Sequence, residues 1–118
     1  MKLDSQVELA DGGVGLPFYL HLGSTDCTGD PANGVTVTSC ARPNRFDVRF
    51  PSFDVTKNHV TVDYAAAVSG ADLSVNAGGA PGCMSGATDP ECAPIFSALG
   101  LDVASGMASG TQTVFGVE

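Results

Sequence analysis

Four cysteines, Cys27, Cys40, Cys83 and Cys92, constrain this 118-residue chain more than any other feature. None forms a Cys-x-x-Cys pair, and no histidine lies close enough in sequence to complete a set of zinc ligands. An even number of cysteines in a glycine- and proline-rich acidic chain is typical of two disulfides, whereas a metal site or free thiols are weaker alternatives. Of the three possible pairings, we favour the sequence-local one, Cys27–Cys40 and Cys83–Cys92.

Two disulfides of this kind bear on both stability and location. Each would close a loop of roughly 10 to 14 residues and add about 2–3 kcal/mol in the chain-entropy model. Disulfides also predict an exported protein that is periplasmic, on the cell surface or secreted. The N-terminal stretch MKLDSQVELADGG has no apolar signal core, so we expect a mature form or a fragment.

Composition predicts one small, mainly β domain and excludes some partners. The chain has 15 glycines and 7 prolines, and it is poor in the residues that long surface helices need. The net charge of −8, from 13 acidic against 5 basic residues, repels nucleic acid and anionic lipid. No apolar run is long enough to insert into a membrane.

Hydrophobic periodicity predicts several short strands and two short helices. Strands are expected at 2–9, 17–22, 35–40, 45–50, 60–64 and 113–117. Residues 23–34 are expected to form a polar loop that ends in an Asn33-Gly34 turn. Asp63 is predicted to cap a helical turn over 65–68, and Asp89-Pro90 to begin a helix that ends at Gly100. The pattern indicates a β-sandwich-like domain with Greek-key connections, two short helices and two disulfides.

Two longer motifs identify a family resemblance. The first is FYLHLGSTDC at 18–27, followed by TSCARPNR at 38–45; the second is APGCMSG at 80–86, followed by DPECAP at 89–94. Together they resemble the four-Cys "metallo-mystery pair" family, also called MbnP-like proteins. The resemblance covers nearly the whole chain.

The resemblance implies a function that composition alone does not show. Family members are exported bacterial proteins that bind copper and act beside a di-haem MauG-like peroxidase, which oxidises a tryptophan of its partner to a kynurenine derivative. They are not themselves enzymes. This chain contains no tryptophan, and family members are longer. We therefore expect residues 1–118 to be either a single domain or the C-terminal part of one longer MbnP-like domain.

The candidate metal ligands are His21 and Met84. His21 lies on a predicted strand, on the face opposite Phe18 and Leu20, and neutral imidazole suits copper. The alternative is a structural histidine hydrogen-bonded within the fold. Met84 offers a thioether, although packing is the more frequent role of such a methionine. His59 follows a turn outside both motifs and is interpreted as a surface residue.

Two other interpretations remain open. Acidic residues at 26–30 and 89–91 suggest calcium, which is the weaker choice because the dense ligand spacing of a calcium loop is missing. The competing function is a secreted structural or adhesion module, stabilised by its disulfides, which assembles with copies of itself and binds no metal.

Overall fold

An antiparallel hairpin of two strands, β1 (Lys2–Glu8) and β2 (Val14–His21), begins the chain in the computed structural model, which describes residues 1–118. Alternate residues of each strand face inward, as the sequence predicts, and Phe18 and Leu20 are almost completely buried. Strand β6 (Gly82–Cys83) lies parallel to β2 and completes a three-stranded sheet. This sheet places the two sequence motifs side by side.

The second hairpin consists of β3 (Thr25–Asp30) and β4 (Val35–Arg42), which are joined by a 3-10 turn over Pro31–Asn33. The predicted polar loop over 23–34 is therefore wrong, although the turn at Gly34 is present. Polar residues form a strand here because they bond across the ladder, where the Thr28 and Thr38 hydroxyls lie 2.8 Å apart. Nearly all of the hairpin is exposed, so it projects from the rest of the domain as an arm.

The remaining elements are β5 (Val60–Val62), α1 (Tyr64–Val68), α2 (Cys92–Ala98) and β7 (Phe115–Val117), and β5 pairs antiparallel with β7. Asp63 caps α1 as predicted, because its carboxylate accepts the Ala66 N–H at 2.9 Å. Helix α2 begins at Cys92, two residues later than the predicted first helical residue, Pro90. The reason is that Asp89 closes the preceding loop instead: its carboxylate accepts the Met84 N–H at 2.8 Å.

Residues 45–50 do not form the predicted strand. Phe46, Val48 and Phe50 alternate in burial with their exposed neighbours, but the backbone joins no ladder. Phe46 packs on Phe115 of β7, with ring centroids 5.6 Å apart. Alternation of apolar and polar residues therefore predicts which side chains face inward, but it does not predict that the segment pairs with another strand.

A single cluster of 11 buried residues forms the core between the first sheet and the two helices. It includes the Cys83–Cys92 disulfide, which joins β6 to α2, whereas the Cys27–Cys40 disulfide crosses the exposed hairpin. Both predicted pairings are thus present. The predicted fold class, mainly β and β-sandwich-like with two short helices, is confirmed, and its strands are divided among three small sheets. Neither helix has the length and apolar character that crossing a bilayer requires.

Candidate functional site

The two sequence motifs meet at Ser85, which follows β6 in a left-handed backbone conformation with φ of +67°. The Ser85 hydroxyl donates to the carbonyl of His21 and accepts the Gly23 N–H at 2.8 Å. The GCMSG loop is therefore attached directly to the end of β2, where HLGST begins. The spacing within each motif gives no sign of this contact between residues more than 60 positions apart.

Arg42, at the end of β4, is only 6% exposed and makes no salt bridge within 4 Å. Its guanidinium donates to the carbonyls of Ser85 at 3.1 Å and Ala104 at 3.1 Å, and to that of Val103. It also donates to the Thr25 hydroxyl at 2.8 Å. These bonds join the base of the arm to the GCMSG loop and to the loop after α2.

Asn44 completes this buried polar junction, a name we use for Arg42, Asn44 and Ser85 together. Its amide nitrogen donates to the Gly23 carbonyl at 2.7 Å. Its side-chain oxygen is buried beside Gly106, where an added Cβ would lie 2.2 Å from it. The ARPN and GCMSG segments therefore have a structural role: their side chains form the junction, and the junction fixes the position of the end of β2.

His21 lies beside this junction, on the outward face of β2. Its Nε2 is 2.8 Å from Oδ1 of Asp4 on the neighbouring strand β1, and about a third of the side chain is exposed. The hydrogen bond from His21 is the main cause that lowers the pKa of Asp4, and Lys2 contributes at 3.3 Å. Because an ionised carboxylate only accepts hydrogen bonds, Nε2 must carry the hydrogen.

This tautomer has a chemical consequence for His21. With the hydrogen on Nε2, the lone pair of the neutral ring is on Nδ1, to which no protein group donates a hydrogen bond. A carboxylate bonded to the distal nitrogen of an imidazole is the usual support of a metal-binding histidine. The ring of Tyr19 lies next to it, with centroids 5.8 Å apart. Sequence reasoning selected His21 but missed Asp4, which the β1–β2 register brings to it.

Met84 follows β6 directly. The parallel register pairs Leu20 with Cys83, and His21 and Met84 each come one residue further along the two strands. It is half-buried, and its ligand role stays a prediction. His59 directly precedes β5, is exposed as predicted, and bonds to Glu118 only through the main chain.

Cys83, Asp89 and Cys92 bring three potential donor atoms within 4.8 Å of one another. The two sulfurs are bonded together, however, and therefore offer no thiolate for a metal. The Asp89 carboxylate accepts the backbone N–H groups of Met84 and Glu91. In the oxidised protein this cluster stabilises the loop. No other three His, Cys, Asp or Glu donors converge in the chain, including those of the acidic segment 26–30.

Comparison with known proteins gives one clear relative. The chain is similar to MbnP from Methylosinus trichosporium, with 35% sequence identity and a TM-score of 0.77. The match covers 98% of this chain and 45% of MbnP. No family model matches the chain, and no curated protein matches it. The resemblance predicted from the two motifs is confirmed, and this chain is MbnP-like in sequence and fold over about half the length of MbnP.

Proposed function

We propose that this chain is an exported, MbnP-like copper-binding protein, not an enzyme, in which His21 supplies one copper ligand. The observation that carries the proposal is the His21–Asp4 pair. It holds the imidazole on a rigid strand, sets the tautomer and leaves Nδ1 available, beside the junction built from the family motifs. The similarity to MbnP supports the copper assignment.

The described residues supply only part of a copper site. One imidazole is oriented for ligation, and Met84, directly after the adjacent strand β6, is the additional soft donor that we propose. Copper bound by nitrogen ligands needs more donors than this. In our proposal the remaining ligands come from polypeptide that corresponds to the part of MbnP outside the match.

The proposed partner is a di-haem MauG-like enzyme. Because the chain has no tryptophan, a tryptophan-derived ligand would have to come from outside these 118 residues. The role of this chain is then to provide a preorganised scaffold, fixed by the disulfides and the buried polar junction, which presents His21. Two disulfides also support a location in an oxidising compartment, such as the periplasm or the cell exterior.

Copper analysis of the oxidised chain, produced together with the polypeptide that supplies the remaining ligands, tests this proposal. The chain has two histidines, which provide a matched pair of variants: His21→Ala and His59→Ala. We expect copper binding, followed by isothermal titration and by the electron paramagnetic resonance spectrum of Cu(II), to weaken at least about tenfold in His21→Ala and to be unchanged in His59→Ala. Equal copper binding by both variants would refute the assignment of His21.

Asp4→Asn distinguishes ligation from a structural role of His21. Asparagine keeps the size of the side chain but removes the charge that fixes the tautomer, so copper affinity should fall about 10-fold while folding is kept. If Asp4→Asn lowers stability but leaves copper affinity unchanged, His21 is a structural histidine.

One observation favours the second candidate function, a secreted structural module that assembles with copies of itself. The β5–β7 sheet exposes the apolar side chains of Val60, Val62 and Val117. Exposed apolar surface of this kind is typical of a site of protein association. Such a module would self-associate without metal and would bind no stoichiometric copper.

A further inference from the structure

The two disulfides of the protein lie in opposite environments. Cys83 and Cys92 are 1% and 0% exposed and belong to the hydrophobic core, whereas Cys27 is exposed and Cys40 is half-buried. Thiol–disulfide exchange requires the attacking sulfur to reach one sulfur of the bond. In the folded protein an external thiol therefore has access to the Cys27–Cys40 bond, and the core excludes it from the Cys83–Cys92 bond.

The arm that carries the exposed disulfide, the β3–β4 hairpin, contributes nothing to the core. None of the 11 buried core residues belongs to the arm, and neither does any of the partly buried residues packed on them. Strands β3 and β4 contact each other and the 3-10 turn, and they make no comparable contact with another helix or strand. Burial of apolar side chains therefore does not hold the two strands of the arm together.

The hydrogen-bonded ladder of the arm is irregular on both sides of Cys27. Asp26 has a left-handed backbone with φ of +53°, a conformation that is costly for residues other than glycine. The strand register shifts at Gly29, whose φ is +109°. A two-stranded hairpin is at best marginally stable in water, and a bulge disrupts its ladder further. The disulfide, which joins the directly opposed Cys27 and Cys40, is therefore the main constraint on the pairing.

Other bonds hold the base of the arm. The Arg42 guanidinium donates to the Thr25 hydroxyl at 2.8 Å, and it also donates to carbonyls of the GCMSG loop and of the loop after α2. The Ser24 hydroxyl donates to the Pro43 carbonyl at 2.8 Å. None of these bonds involves the disulfide. Loss of pairing in the arm therefore ends at its base and leaves the core folded.

We propose that the Cys27–Cys40 bond is a reversible thiol–disulfide exchange site that controls the order of the arm. The reductant is a dithiol. One of its thiolates attacks Sγ of Cys27, the more exposed cysteine, so that a mixed disulfide forms and the Cys40 thiolate leaves. The second thiol of the reductant then displaces Cys27 and closes the reductant's own disulfide. Two electrons and two protons pass to the protein, which gains two thiols, and the arm loses its strand pairing.

The charge of the arm selects among reductants. Between residues 25 and 41 the arm carries Asp26 and Asp30 and no basic residue, and the whole chain has a net charge of −8. A thiol that carries carboxylates is therefore repelled, and an uncharged dithiol is the class that fits. Asp26→Asn tests this selection, because asparagine also tolerates the left-handed backbone. It should accelerate reduction by anionic glutathione about two- to fivefold more than reduction by uncharged dithiothreitol. Equal acceleration would overturn the assignment of the reductant class.

Alkylation during reduction tests the exchange site. The oxidised chain is incubated with dithiothreitol without denaturant, quenched with iodoacetamide at intervals and analysed by mass spectrometry. We expect Cys27 and Cys40 to be labelled at least about 10-fold faster than Cys83 and Cys92, and to resist labelling again after reoxidation. In urea that unfolds the protein the two rates should converge, because the fold causes the difference. Copper is omitted, so the result does not depend on the proposed function.

A double variant measures the conformational effect without a reductant. Cys27→Ser combined with Cys40→Ser keeps side chains close in size to the reduced cysteines and removes the bond. Amide hydrogen exchange in β3 and β4 should accelerate at least about 10-fold, whereas exchange in β2 and α2 should stay within about twofold. Thr38→Ser is the control, since it changes the same strand but keeps the disulfide and the hydroxyl that lies 2.8 Å from Thr28. The control should leave both rates unchanged.

Three outcomes would overturn the proposal. The first is reduction of the Cys83–Cys92 bond as fast as the Cys27–Cys40 bond in the folded protein, since exposure would then not govern exchange. The second is unchanged hydrogen exchange in β3 and β4 of the double serine variant, because the arm would then be ordered without its disulfide. The third is faster exchange in β2 and α2 as well, which would mean that the arm and the core unfold together.

Discussion

Replacing Arg42 with methionine should destabilise the domain more than any other single substitution at the buried polar junction. Methionine keeps the apolar stem of the side chain but removes all four hydrogen bonds of the guanidinium. The carbonyls of Ser85, Val103 and Ala104 would each lose a donor. Because these segments are far apart in sequence, nothing local replaces that donor.

The magnitude of the Arg42 effect follows from this geometry. Hydrogen bonds to a charged group contribute about 1.5–3 kcal/mol each, but bonds that share one side chain are not additive. Removing the arginine also removes the cost of burying an unpaired charge. We therefore expect the free energy of unfolding to fall by about 3 kcal/mol, the lower end for breaking a buried charged network. For a chain of this length that is a drop of about 12 °C in Tm.

Urea unfolding of the oxidised chain, followed by circular dichroism, measures this loss. Arg49→Met is the control, since Arg49 is exposed and makes no side-chain hydrogen bond or salt bridge, and it should change the free energy of unfolding by less than about 0.5 kcal/mol. If Arg42→Met costs less than about 1 kcal/mol, the junction does not hold these segments together and the reasoning is wrong.

Two further predictions concern acid stability and the β2–β6 contact. Hydrogen bonds from neighbouring hydroxyl and backbone groups lower the pKa of Asp54, Asp72 and Asp102 below the ordinary 3.8. The stabilising contribution of these carboxylates is therefore complete above about pH 4 and is lost as the pH falls through their lowered pKa values. The urea midpoint of unfolding should decrease over that pH range. Asp102→Asn should make this decrease smaller. Gly82→Ala should cost about 2 kcal/mol or more, because its φ is +86° and an added Cβ would lie 2.1 Å from the backbone of β2. Gly34→Ala, at φ of +76° in open space, should cost less; equal losses would contradict the steric argument.

The chain's local patterns predict its alternating strands well. The β1–β2 hairpin follows its apolar period, and the Asp63 cap of α1 follows a local side-chain bond. These predictions succeed because their causes lie within a few residues. Predictions fail where the local signal does not decide the bonding partner: the Asp89 carboxylate accepts the Met84 N–H of the preceding loop and does not cap α2, and residues 45–50 find no strand partner.

Sequence by itself predicted the mainly β class, the two local disulfides and the resemblance to MbnP, because cysteine spacing and motif identity are local properties of the chain. Only the tertiary structure decided what those motifs do. It placed Ser85 against the end of β2, surrounded the charge of Arg42 with carbonyls, and set Asp4 against His21. It also turned the valines of β5 outward. Each of these depends on strand register and on contacts between distant segments, which short-range patterns do not encode.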